Sequence, residues 1–211
     1  MITEIAAPKN SNPWFSIWTE PRATMRKILD TDPEHMVFIL GILLGVYDCI
    51  GRAAAKNSGD MFTVPAVFAL CAIMGPIGGL TILYGASALL KWAGKLLGGQ
   101  GSYSHIRAAF AWSSVPLIWG LLLWIPGIAL FGEELFTKET PRIDSSVILL
   151  IASVCFGGLQ VVLFFRSFIV FLKCLAEAQR FSAWRALFNI LLSFALFVIV
   201  ILAFVWIKKL F

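Results

Sequence analysis

Residues 61–90 read MFTVPAVFALCAIMGPIGGLTILYGASALL, and none of these 30 residues carries a charge. An α-helix needs about 20 consecutive apolar residues to cross the hydrocarbon core of a bilayer. Helices on the surface of a soluble domain keep a polar face toward water, which this stretch lacks. The stretch therefore predicts a membrane-spanning helix, and with it an integral membrane protein.

Four further apolar segments of spanning length occur in the chain. With approximate bounds, the five predicted spans are 36–55, 62–90, 106–131, 146–172 and 186–207. No segment keeps the alternating apolar and polar pattern of a membrane β-barrel. We predict an all-α, polytopic membrane protein with five transmembrane helices and a short N-terminal amphipathic interfacial helix. Residues 1–35 would form the cytoplasmic N-terminal interfacial segment, and residues 36–211 the transmembrane domain.

The composition agrees with a membrane protein. Hydrophobic residues make up 59% of the 211 residues and charged residues 14%, against roughly 45–50% and about 25% in soluble domains. This balance excludes a soluble enzyme, whose surface needs polar cover, and a disordered chain, which would be poor in apolar residues. The net charge is +5, but the basic residues are spread along the chain in small groups, so we expect no nucleic-acid binding.

Lys and Arg are unevenly divided between the two sides of the predicted bundle. Eleven of them flank the spans on the side of the N-terminus, and six lie on the opposite side. Because cytoplasmic loops carry an excess of Lys and Arg, we expect the N-terminus in the cytoplasm and the C-terminus outside. The expected location is the cell (inner) membrane.

The N-terminal segment contains signals for helix starts. Asn12-Pro13 and Asp32-Pro33 each have the pattern of an N-cap followed by proline at the first helical position. Thr19 is a candidate N-cap for a helix that passes through Pro21. These signals predict a short helix over residues 20–29.

This short helix is predicted to be amphipathic, because Met25, Ile28 and Leu29 share one face and the basic residues lie largely elsewhere. Basic and aromatic residues together suit a helix lying on an anionic leaflet. A helix that docks on the cytoplasmic ends of the bundle fits the same pattern, and both interpretations stay open. The candidate lipid or partner contacts in this segment are Trp14, Trp18, Arg22, Arg26 and Lys27.

Arg166 and Lys173 share one face near the predicted cytoplasmic end of the fourth span. One interpretation is a basic, solvated extension of that helix, with the Arg166 side chain reaching to the interface. The other is a contact to a lipid phosphate or to a protein partner.

Asp48 is the only carboxylate inside a predicted span. An acid at membrane depth is a functional hypothesis by default, but Arg52 lies four residues later on the same helix face and could form an ion pair at the helix end. Gln160 and Asn189 are the other candidate intramembrane polar residues, either as hydrogen-bonding contacts between helices or as part of a site.

The second and third spans contain candidate helix breaks at Gly75, Pro76, Pro116 and Pro126. Proline removes a helix hydrogen bond and bends the axis, and broken helices form substrate sites in many transporters. The same residues also permit close packing, as do the Gly-x-x-x-Gly pairs at 41/45, 75/79 and 94/98. Both interpretations are retained.

We identify no catalytic residues, no metal ligands and no cofactor-binding motif, and we expect no enzymatic activity. The sequence contains no HExxH, no Gly-x-Ser-x-Gly, no Walker loop and no pair of intramembrane aspartates. The four cysteines, at 49, 71, 155 and 174, lie in apolar surroundings, which favours small apolar packing residues over a redox or metal site.

Two groups of residues resemble the signatures of the Yip (Ypt/Rab-interacting protein) domain family. The first group is Asn12-Pro13-Trp14, Ile17-Trp18, Pro21, Ile28-Leu29 and Asp32-Pro33; the second is Gly98-Gly99-Gln100-Gly101-Ser102-Tyr103, Ala111-Trp112 and Val115-Pro116. The resemblance implies a multi-pass protein with a Gly-rich cytoplasmic turn before the third span. It also implies a family with no established enzyme activity, whose eukaryotic members bind prenylated Rab-type GTPases and associate with each other.

The sequence departs from the eukaryotic pattern, because it shows no Asp-Leu-x-Gly-Pro run and only Gly75-Pro76 is similar to it. This difference argues against GTPase binding and favours a prokaryotic-type member. Two functions follow as hypotheses. The first is a membrane-organising or partner-recruiting scaffold, in contact with the lipid bilayer and with itself or other membrane proteins. The alternative is a small-solute or ion permease that uses the proline-containing second and third spans.

Overall fold

The computed structural model describes residues 12–210, with the side chains of 203, 204 and 207–210 excepted. Lys9, which enters the charge count above, lies outside the described residues. The described helices are α1 (Pro13–Thr19), α2 (Pro21–Thr31), α3 (Val37–Ala55), α4 (Val64–Leu96), α5 (Tyr103–Ser113), α6 (Val115–Phe131), α7 (Pro141–Ser145), α8 (Val147–Gln179) and α9 (Ala183–Leu210). Short 3-10 turns occupy Ser58–Asp60 and Gly132–Leu135, and no strand occurs in residues 12–210.

Five apolar segments are long enough to cross a membrane, which confirms the predicted all-α, five-span fold. They are α3, α4, α5 with α6, α8 and α9. We call the end of the bundle with α1, α2 and the α4–α5 and α8–α9 connections the cap end. The opposite end, with the α3–α4 and α6–α8 connections, is called the far end.

Two spans are longer than the sequence predicts. α4 continues to Leu96 and α8 to Gln179, instead of ending near residues 90 and 172. Each has 33 residues, or about 50 Å at a rise of ~1.5 Å per residue, which exceeds a hydrocarbon core of ~30 Å. Arg166 therefore lies about 20 Å from the end of α8, and the helix continues past the predicted span as an extension that includes Lys173.

α3 and α4 form an antiparallel pair whose backbones touch at glycines. Gly45 faces Gly75 and Gly79, and Gly79 also faces the carbonyl oxygen of Gly41. Side chains at these positions would overlap the backbone of the facing helix. The sequence left open whether Gly75 marks a helix break or allows close packing. The contact between α3 and α4 shows close packing at Gly75 and at the 41/45 and 75/79 pairs.

The prolines affect the second and third spans differently. Pro76 lies inside continuous α4 and Pro126 inside continuous α6, so neither position is a break. Pro116 does coincide with a break, because α5 ends at Ser113 and α6 begins at Val115. Serine hydroxyls satisfy carbonyls there: Ser114 Oγ donates to the Ala111 oxygen at 2.6 Å, and Ser167 Oγ of α8 donates to the Ser113 oxygen at 2.7 Å.

One of the three predicted N-caps is confirmed. Asn12 Oδ1 accepts from the backbone N–H of Trp14 at 3.1 Å and caps α1. The expectation for Thr19 is wrong, because Glu20 precedes α2 and makes no side-chain cap. Asp32 ends α2 instead of starting a helix; its Oδ1 accepts from the N–H of Glu34 at 3.0 Å within the turn that leads to α3.

The glycine contact gives a matched prediction in α4. A Cβ at Gly79 would overlap the Gly41 carbonyl and the Gly45 backbone, whereas a Cβ at Gly78 would meet nothing within 4 Å. We expect Gly79→Ala to lower the free energy of unfolding by about 2–3 kcal/mol, since overpacking displaces the facing backbone. Gly78→Ala, the control, should be neutral or slightly stabilising. Thermal or denaturant unfolding in one detergent measures both, and equal stabilities would contradict the contact.

Candidate functional site

The N-terminal helices α1 and α2 lie against the cap end of the bundle with their apolar residues inward. Ile17 and Met25 have no exposed surface and Ile28 is almost fully buried. They belong to one apolar cluster with Ala108 of α5 and Cys174 and Ala178 of α8, among others. Of the two interpretations of the amphipathic helix, docking on the bundle describes the structure. We call α1 and α2 together the cap.

Polar contacts fix the cap at its edges. Arg26 Nε forms an ion pair with Glu177 Oε1 of α8 at 2.7 Å. The hydrogen bond and charge of Glu177 raise the pKa of the Arg26 guanidinium above its ordinary value, so the guanidinium stays charged at neutral pH. Thr24 Oγ1 donates to Ser16 Oγ at 2.9 Å and joins α2 to α1. Since the Arg26 side chain is largely exposed, the pair orients the helix more than it stabilises it.

The cap tryptophans contact protein. Trp14 packs edge-on against Trp112 of α5, with ring centroids 6.3 Å apart. Trp18 is also partly buried against the same cluster. Trp112 Nε1 in turn donates to the His35 carbonyl at 3.2 Å, which ties the turn before α3 to α5. These aromatic residues therefore help to hold the cap on the bundle.

The outer surface of the cap is charged. Arg22 and Lys27 are exposed, and an open groove of about 340 Å³ runs between α1, α2 and the following turn. Its lining mixes both charges with hydroxyls and an imidazole: Ser16, Glu20, Lys27, Thr31, Asp32 and His35 are among the lining residues. A groove with this lining can form hydrogen bonds and ion pairs with a polar partner segment.

Beside the cap, the Gly-rich turn after α4 packs on the end of α8. Gly98 adopts a left-handed conformation (φ +81°), and Gly99 N–H donates to the Gly94 carbonyl at 2.7 Å, which closes α4 in a Schellman motif. Gln179, fully buried, donates from Nε2 to the Leu90 carbonyl at 3.2 Å. A Cβ on Gly94 or Gly99 would overlap its amide. Sequence reasoning missed Gln179, because no local pattern relates it to glycines about 80 residues earlier.

A second polar arrangement lies toward the far end, on the side of the bundle. Arg52 Nε contacts Asp48 Oδ2 at 2.7 Å, which confirms the predicted i,i+4 ion pair. Tyr47 donates its hydroxyl hydrogen to Gln160 Oε1 of α8 at 2.8 Å. All four residues line an open groove of about 360 Å³, together with Trp124 of α6 and others. We call it the lateral groove.

The structure brings Asp48 and Gln160 together but leaves Asn189 elsewhere. Asn189 is fully buried in α9, a helix that packs against α4. Its backbone carbonyl accepts from Ser193 Oγ at 2.7 Å. Lys173 is exposed and Arg166 is partly buried, and neither forms an ion pair within residues 12–210. These three residues therefore do not join either groove.

The described residues offer few groups for redox chemistry or metal binding. Four cysteines are free thiols, with Cys71 and Cys174 buried. Among the residues that the structure describes, no three His, Cys, Asp or Glu side chains approach closely enough to hold a metal ion.

Comparison with known families identifies the chain. The Yip1 domain family model matches residues 15–207. The chain belongs to the Yip1 domain family. No curated protein and no solved structure matches it. The match begins within α1, so this Yip1 domain includes most of the cap as well as the five spans.

The alkylation rate of a native cysteine measures how firmly the cap is docked on the bundle of this Yip1 domain. Cys174 Sγ is buried beneath α2, 3.8 Å from the Pro21 carbonyl oxygen. We expect Met25→Ala to speed alkylation of Cys174 about tenfold, since the lost contacts let the cap open more often and each ~1.4 kcal/mol of opening free energy is tenfold. Rates are measured by mass spectrometry with the other three cysteines replaced by serine.

Arg22→Ala is the control for this measurement, because Arg22 is exposed and lies outside the apolar cluster. It should leave the alkylation rate unchanged. Fast labelling of Cys174 in the unaltered cap, or equal rates in both variants, would contradict a docked cap.

Proposed function

We propose that this Yip1-domain protein is a non-catalytic membrane protein that recruits a soluble partner to the membrane through its cap. The observation that carries the proposal is a cap fixed on the bundle by its buried apolar face, with a mixed-charge groove left open on its outer side. A surface held in one conformation binds a partner at lower entropic cost than a mobile segment does.

The charged residues that line the groove indicate which charges a partner segment would carry. Lys27 lies beside Glu20 and Asp32 in the lining, which suits a segment that carries both signs of charge. Arg22 is exposed on the same helix and adds a cation at the surface. Pro13, Ala23 and Ile28 add an apolar part to the lining, so the groove suits a peptide segment of a protein partner that carries both charged and apolar side chains.

The proposed orientation places the cap in the cytoplasm and the C-terminus outside, in the cell (inner) membrane. The Lys and Arg excess on the side of the cap supports this orientation. The odd number of spans also supports it, since an odd number would leave α1 and the end of α9 on opposite sides. Reporter fusions to the two termini should report opposite compartments, and reports of one shared compartment would overturn the arrangement.

The permease alternative has weaker support. Its helix breaks at Pro76 and Pro126 lie in continuous helices, and Asn189 does not line the lateral groove. A second pocket beside Asp48 and Arg52 is lined on its cap-end side by Phe110 and Phe171, whose rings pack edge-on with centroids 5.5 Å apart, so apolar rings line a path from Asp48 toward the cap end. Solute or ion flux in liposomes that changes with Asp48→Asn would favour the permease over the scaffold.

Site-specific photocrosslinking in native membranes tests recruitment. A photoreactive residue at Lys27, in the groove of the cap, should give discrete adducts with a soluble protein. The matched control is the same residue at Ile151, which is exposed on the apolar surface of α8 and should give lipid adducts or none.

Charge reversal then tests the chemistry of the contact. Arg22→Glu, with the probe still at position 27, should reduce the adducts several-fold, because an exposed charge pair contributes up to ~1 kcal/mol and steers association. Adducts at neither position, or equal adducts at positions 27 and 151, would contradict recruitment through the cap.

A further inference from the structure

The lateral groove contains a charged pair that the protein leaves uncovered at membrane depth. Asp48 lies about 10 Å from the end of α3 at Ala55. Its side chain is 40% exposed and that of Arg52 63% exposed. A charge at the centre of a spanning helix costs about 2.5–3.5 kcal/mol on insertion scales, and part of this cost applies to a pair in the last two turns of α3, so further polar contacts would stabilise it.

The geometry of the ion pair leaves binding capacity on both partners. Only Nε of Arg52 and Oδ2 of Asp48 take part in the bond at 2.7 Å. The two terminal amino groups of Arg52 and the Oδ1 atom of Asp48 have no hydrogen-bond partner in residues 12–210. Donors and an acceptor of opposite charge therefore face the groove side by side.

Two more donors line the groove without a partner. Gln160 accepts from Tyr47 at Oε1, but its Nε2 has no hydrogen bond. Trp124 is 94% buried, and its Nε1 also has no partner. Both nitrogens are buried beneath the surface of the groove, where a donor without an acceptor costs about 1–3 kcal/mol, so this side of the groove holds more donors than acceptors.

We propose that the lateral groove binds the headgroup of an ethanolamine phospholipid, with its phosphate at Arg52 and its ammonium at Asp48. The acyl chains would lie in the bilayer along the open side of the groove. The groove opens sideways on the bundle, which is the direction from which a membrane lipid arrives. This inference is independent of the function proposed for the cap.

Charge complementarity selects this lipid class among the common ones. A zwitterionic headgroup pairs with Asp48 and Arg52 at once and leaves neither charge alone. An anionic headgroup without an amine would bring its phosphate close to the Asp48 carboxylate, which repels it. A choline headgroup carries its charge on a nitrogen without N–H, so it donates no hydrogen bond to Asp48.

Native mass spectrometry of the purified full chain tests the proposal on the unaltered protein first. Dioleoyl phosphatidylethanolamine, phosphatidylcholine and phosphatidylglycerol are added in equal amounts to protein in mild detergent. We expect the ethanolamine lipid to be retained about tenfold more than either of the others, equivalent to one charge-assisted hydrogen bond. Equal retention of all three, or preference for phosphatidylglycerol, would overturn the proposal and leave a hydrated ion pair.

Variants then assign the contacts. Asp48→Asn should abolish the preference for ethanolamine over choline, and Arg52→Gln should reduce retention of both. Thr81→Val is the control, because Thr81 is exposed on α4 and bonds only to the Ile77 carbonyl in the described residues.

A variant that fails to fold is recognised by size-exclusion chromatography and circular dichroism, and the comparison of lipids on the unaltered chain decides the proposal in that case. Unchanged retention in folded Asp48→Asn and Arg52→Gln, or a loss in Thr81→Val equal to theirs, would place the lipid elsewhere.

Discussion

The hydrocarbon core contains no water to accept or donate hydrogen bonds, and this constraint shapes each part of the protein. α4 passes through Pro76 without interruption, since losing one helix hydrogen bond costs less than exposing a whole turn. Where the third span does break, at Ser114, the hydroxyls of Ser114 and Ser167 satisfy carbonyls of the broken turn. Two of the buried polar groups that find no such partner, Gln160 Nε2 and Trp124 Nε1, belong to residues of the lateral groove.

The cap and the α3–α4 contact stabilise the bundle in different ways. Glycines let the backbones of α3 and α4 approach so closely that van der Waals contact replaces the hydrophobic effect, which is absent between helices in lipid. At the cap end, water is present, and burial of Ile17, Met25 and Ile28 provides the usual hydrophobic stabilisation. The Yip1 domain therefore combines a helix bundle held by close backbone packing with a cap held by burial of apolar side chains.

The two candidate sites follow from this division. The groove on the cap faces water, with a mixed-charge lining suited to a protein segment. The lateral groove lies between apolar spans, and its exposed ion pair favours a polar headgroup on an apolar body. They lie toward opposite ends of the bundle, so a bound lipid and a recruited partner would not compete for the same residues.

The sequence by itself determined the five spans, the amphipathic α2, the Asn12 cap and the Asp48–Arg52 pair, because each depends on charge-free length or on residues within one helical turn. It did not determine where α8 ends, and it left open whether Pro76 and Pro126 interrupt their helices. Only the tertiary structure decided that the cap docks, that Gln179 packs on the Gly-rich turn, and that Tyr47, Gln160 and Trp124 meet Asp48. Those contacts join residues from separate helices, and local spacing carries no information about which helix faces which.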